Sequence, residues 1–122
     1  MAAGLSVNGR NKQLGGFGSA VTHVSLHSAD PGTGGANELA GGSPAYARKS
    51  VTWAAPSAGT ISSSNAQVFD VAAGSTVAYA GYWDASTSGN FYGSRAVTSE
   101  VFAGQGTYTI ASGDIDEANT GT

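Results

Sequence analysis

The chain has 122 residues, the length of one ordinary domain. Five Lys and Arg against eight Asp and Glu leave a formal charge of −3, which removes the basic field that nucleic acid or an anionic membrane surface would need. Cysteine is absent, which excludes disulfides, thiolate metal sites and a cysteine nucleophile, and no apolar run reaches the roughly 18 residues of a membrane helix.

Residues 1–20 read as an N-terminal arm or short helix. A helix of two or three turns from about Asn8 to Leu14 competes with an extended arm, because each interior glycine costs about 1 kcal/mol relative to Ala. From Val21 the pattern becomes β. In "VTHVSLH" (21–27), Thr22, Val24 and Leu26 share one face, while Val21, His23, Ser25 and His27 share the other. Asp30-Pro31-Gly32 is a turn signal, since Pro presets one φ and Gly permits a positive one. Residues 31–45 form a long Gly-rich loop in which "ANELA" (36–40) is short enough for a single helical turn. The next strand is "AYARKSVTWA" (45–54), with Val51 and Trp53 inside. Residues 57–65 are a polar connection. "AQVFDV" (66–71) should bury Phe69 and Val71. "TVAYAGYWD" (76–84) is the most apolar strand, with Val77, Tyr79, Gly81 and Trp83 on one face and Ala78, Ala80 and Tyr82 on the other. "NFYG" (90–93), "AVTSEVFA" (96–103) and "TYTIA" (107–111) complete the strands. "GDIDEANTGT" (113–122) reads as an acidic tail or terminal arm.

Short strands separated by turn residues imply an all-β fold, an antiparallel β-sandwich of jelly-roll type, with a short N-terminal helix or arm and long Gly-rich loops. The domain plan is an arm at 1–20, a sandwich at 21–112 and an acidic tail at 113–122. The pieces expected to be mobile are 1–20, 31–45 and 113–122.

Chemistry-bearing patterns are sparse. His23 and His27 are four residues apart on a strand, about 13 Å, too far to share an ion, so they read as the polar face of a strand. Asp114, Asp116 and Glu117 lack the turn and the oxygen count of a calcium loop and read as solvated. The Gly-rich loop has no Gly-Lys-Ser/Thr and is not a phosphate loop. No G-x-S-x-G elbow is present. Serine, two histidines and the carboxylates Asp70, Asp84 and Glu100 leave a triad or a carboxylate pair formally open, but nothing points to either. The expectation is therefore a chain that is not an enzyme, with no metal and no cofactor.

The large aromatics gather in mid-chain. Tyr82 and Trp83 alternate in parity, so they cannot occupy one core face, and one of them should meet a second layer or a partner. Tyr82, Trp83 and Tyr92 are the candidate residues for binding a partner or a glycan, with Asn90 and Asp84 flanking them.

The segments "VTHVSLHSADPGTGGANELAGGSPAYARKSVTWAA" (21–55), "FDVAAGSTV" (69–77), "GYWDASTSGNFYG" (81–93) and "GQGTYTIASGDI" (104–115) together resemble small structural proteins of tailed bacteriophages, especially those of actinobacteria, described as tail fibre or minor tail proteins. The resemblance spans roughly residues 21–115. It implies a non-enzymatic virion component, assembled in the host cytoplasm, with no catalytic residues to carry over. Its expected partners are other virion proteins, of the tail or the major capsid protein, in a homo-oligomer or symmetric multi-copy assembly. A capsid decoration (cement) protein on the phage head is the close alternative, since such proteins have this size. A glycan-binding module for host-surface attachment is a further one. No nucleic acid and no membrane partner is expected.

Overall fold

The computed structural model describes residues 6–118. In chain order it contains α1 (Val7–Ala20), β1 (His23–His27), β2 (Lys49–Ser50), β3 (Thr60–Ser62), β4 (Gln67–Val71), β5 (Thr76–Trp83), β6 (Phe91–Val101), β7 (Gly106–Ile110) and β8 (Asp116–Ala118). Every strand pair is antiparallel. A four-stranded sheet runs β2-β1-β5-β6, and two ribbons, β3-β8 and β4-β7, complete the architecture. The fold is an all-β antiparallel sandwich with one short N-terminal helix.

The core lies between the four-stranded sheet and the β4-β7 ribbon. Period-2 alternation on β1 turns Val24 and Leu26 inward, and both are completely buried. They meet Phe69 and Val71 of β4 and Tyr108 and Ile110 of β7. Phe69 and Val71 are inside as their strand parity requires, and Val51 joins them. β5 departs from strict alternation. A register irregularity between Val77 and Tyr79 lets Val77 enter the same core as Ala80 and Tyr82.

The N-terminal segment is a helix that runs past Leu14 to Ala20 despite four glycines. Ser6 caps it by accepting a bond from the Gly9 N–H at 3.1 Å. Tertiary packing outweighs its weak propensity: Leu14 is buried, and the Phe17 ring meets Trp53 and Tyr82 edge-on at 5.3 and 5.4 Å. The first five residues of the expected arm lie outside the described residues.

Four other expectations change. The strand expected at 45–54 contracts to Lys49–Ser50 plus an isolated bridge from Trp53 to Ser63. "ANELA" is not helical; Glu38 instead bridges to His27 as extended backbone. The pieces 90–93 and 96–103 merge into one strand, Phe91–Val101. The acidic end is docked over its described part: Ile115 is completely buried, and Asp116–Ala118 pair with Thr60–Ser62, inside the connection expected to be irregular. Burial of Ile115, which gains roughly 1.5–3 kcal/mol, adds to that pairing in anchoring the segment. The last four residues of the expected tail lie outside the described residues.

Candidate functional site

The second face of the four-stranded sheet carries polar groups, yet it is covered. Ser25 and His27 on β1 are both completely buried. Opposite Ser25 stands Gly81 of β5, the close approach that makes room for them. A Cβ at Gly81 would lie 2.5 Å from Ser25 Oγ and 2.6 Å from His27 Nε2.

Hydrogen-bond donors fix the direction of this network. His27 Nδ1 lies 2.7 Å from the Ala36 carbonyl oxygen, which can only accept, so Nδ1 carries the proton. Nε2 is then an acceptor, and Ser25 donates its hydroxyl to it at 2.6 Å. Ser25 Oγ in turn accepts the Trp83 Nε1–H at 2.8 Å. Burial pushes the His27 pKa down against the opposing pull of its Ala36 bond and of Glu38, and Arg48 adds to the lowering.

The cover is the Gly-rich loop. Gly35, at φ +78°, lies flat on Trp83; a Cβ there would come within 2.5 Å of the indole ring. Ser28 N–H donates to Asn37 O and Leu39 N–H to Leu26 O, each at 3.0 Å, so the loop runs along the sheet as a strap. Arg48 clamps its far end. It holds Glu38 through Nε and Nη2, both at 2.9 Å, and donates Nη1 to the carbonyls of Ala85 and Ser88. Its guanidinium carbon sits 3.6 Å from the centre of the Trp83 ring. Tyr46 donates to the same Glu38 carboxylate at 2.9 Å and accepts the Leu26 N–H.

The three aromatic candidates do not come together. Tyr82 is 2% exposed, inside the core, with its hydroxyl donated to Glu117. Trp83 is 7% exposed, on the opposite face beneath the strap; it is the residue that meets a second layer. Tyr92 is 47% exposed. It is the residue skipped where β6 shifts register between the pairs Tyr82–Gly93 and Trp83–Phe91, so the bulge turns it outward. Of the three, only Tyr92 offers a ring face to solvent. Its expected flanking groups are engaged locally, since Asp84 accepts both the backbone and the side-chain N–H of Asn90 at 2.8 Å. These bonds hold the Asp84 carboxyl below its usual range.

Ser25 and His27 form a serine–histidine pair that sequence reading did not single out. Its geometry does not serve nucleophilic catalysis. The hydroxyl is sealed from solvent, and the imidazole's other nitrogen bonds a backbone carbonyl where a triad would place a carboxylate. Sequence spacing gave only a weak signal for it: two polar residues in alternation on a strand facing a glycine. Among the described residues, no group of three or more His, Asp or Glu side chains gathers as a metal site. Glu117, expected to be solvated, receives the Tyr82 hydroxyl and lies 3.5 Å from Arg95. Among the described residues, no helix is long and apolar enough to cross a membrane.

A concavity lies where β6 and β7 diverge from one sheet to the other. It is a groove of about 530 Å³ lined by Arg95, Val97, Glu100, Tyr108, Ile110 and Asp114. β6 pairs with β5 alone and β7 with β4 alone among the described residues, so each has an edge without a strand partner. Tyr108 crosses between them and donates its hydroxyl to the Thr98 carbonyl at 2.6 Å. Its phenol pKa is pushed up by burial and then by the carboxylates of Glu100 and Asp114. The groove thus combines the apolar Val97, Tyr108 and Ile110 with the charged Arg95, Glu100 and Asp114.

Residues 18–117 match the family model described as Podophage GP4 fiber I protein gp80. The chain belongs to this family. It is a phage fibre-type structural protein and a component of the virion, as the resemblance in its sequence implied. The matched span takes in β1 to β7, the strap, the groove and all of β8 but Ala118, and leaves out most of α1. Among curated proteins none matches the sequence.

Proposed function

We propose that this fibre-family chain is a non-enzymatic subunit of a tailed-phage tail, of the minor-tail or tail-fibre type, that assembles in multiple copies onto other virion proteins. The observation that carries this reading is the family match over residues 18–117. The disposition of polar groups supports it. The buried histidine and serine are committed to each other and to the backbone, so the sandwich offers contact surface rather than a reaction centre.

The contact surface we favour is the β6-β7 side. Unpaired strand edges supply main-chain hydrogen bonds to an extended neighbour, and the groove's apolar residues give side chains a place to bury. Repetition of such modest contacts around a symmetric particle multiplies their strength.

Intact particles labelled with a gold-tagged antibody to this protein test the reading. Label at the tail supports it. Label over the head replaces it with a capsid decoration role, and particles without label overturn both. A Glu100→Lys, Asp114→Lys chain that folds normally yet incorporates as well as the parent would move the contact away from the groove.

A further inference from the structure

The strap ends on the sheet through backbone bonds at Ser28 and Leu39, but its middle meets the sheet through a titratable side chain, His27. In that middle section Gly35 lies against Trp83, whose ring packs on Phe91 at a centroid distance of 5.0 Å. We propose that residues 28–40 are an acid-released strap: a proton taken up by His27 loosens the strap and uncovers the Trp83–Phe91 aromatic face while the core sheet holds.

The hydrogen-bond directions supply the reason. The incoming proton must go to Nε2, because Nδ1 already carries one for Ala36. Nε2 then becomes a donor facing Ser25 Oγ at 2.6 Å, and the Ser25 hydroxyl hydrogen loses its acceptor. Ser25 Oγ cannot retreat, since it holds the Trp83 N–H on its other side and Gly81 lies directly across the ladder.

The surroundings do not compensate the new charge. From β5, Tyr79 stands opposite His27 in register, and from β6 the Phe91 ring lies 6.3 Å away, edge-on. From the strap, Glu38 attracts the cation, but both of its oxygens are already held by Arg48 and Tyr46. Arg48 itself repels it. Burial therefore opposes the charged ring, and lifting the strap is the local motion that admits water to it. The same burial depresses the His27 pKa, so release belongs to the acid side of neutrality.

Hydrogen exchange on the full chain between about pH 8 and about pH 5, corrected for the intrinsic pH dependence of exchange, tests the proposal. The expected result is a loss of protection of about tenfold or more at the Gly35, Ala36 and Leu39 amides, while the β4-β7 amides keep theirs. Ring titration by NMR in the same unmodified chain should show His27 protonating in step with that loss. Three results would each overturn the proposal: unchanged strap protection, strap and core losing protection together, or a His27 ring that stays neutral until the whole fold opens. His27→Gln should abolish the pH dependence. If that variant does not fold, the titration in the parent chain still decides.

Discussion

The two faces of the four-stranded sheet are buried by different means. One face, with Val24, Leu26, Ala80 and Tyr82, is closed by a second layer of apolar side chains. The other, with Ser25, His27, Gly81 and Trp83, is closed by a loop and a directional chain of hydrogen bonds. An apolar face tolerates changes that keep volume, because dispersion and water exclusion are non-directional. A hydrogen-bonded face tolerates far less, because removing one member strands the others without partners. The second face also holds a buried base, so it should respond to acid.

The largest effect should come from the apolar face. Phe69→Ala removes a completely buried ring at the centre of the core and should cost about 3–5 kcal/mol, read from the urea midpoint. A cost below about 1 kcal/mol would mean that the core does not lie where the sandwich places it.

Gly81→Ala sharpens the contrast. One methyl group, harmless on most strands, here meets Ser25 Oγ, His27 Nε2 and the Phe91 ring within 3.0 Å. Overpacking of this kind should cost about 1–3 kcal/mol. Arg48→Met, which keeps the contact with Trp83 but drops the clamp on Glu38, should cost about 1.5–3 kcal/mol by the same urea measurement.

The pH dependence separates the faces thermodynamically. His27 has a depressed pKa in the folded chain, so the unfolded chain binds a proton first as the pH falls. Its contribution is fully present above the unfolded value of about 6.5 and is lost on descent toward the folded value, with a slope of at most about 1.4 kcal/mol per pH unit. Urea midpoints across that window should fall in the parent and stay flatter in His27→Gln.

The smallest effect belongs to the exposed bulge. Tyr92→Ala should change stability by no more than about 0.5 kcal/mol. Impaired attachment by particles carrying this stable variant would assign Tyr92 a contact role.

The strands with clean alternation were legible beforehand. β1 and β4 bury the residues that period 2 selects, and β5 does so in its second half. β3 and β8 were not, because three residues each, in polar company, carry no periodic signal; they exist through their mutual pairing and the burial of Ile115. The bulge at Tyr92 was equally hidden. A skipped residue is a property of two strands in register, and neither strand encodes it alone. The candidate aromatics were rightly assigned to opposite faces, but parity could not say that both of those faces would be covered.

Composition and alternation by themselves determined an antiparallel β domain without cysteine chemistry or a basic surface, and the combination of segments pointed to a phage structural family. Only the tertiary structure decided that a glycine-rich loop would fold back as a strap and that two polar residues on β1 would be the most buried of their kind. Local sequence sets which way a side chain points. Whether water waits there depends on what the rest of the chain brings to cover it.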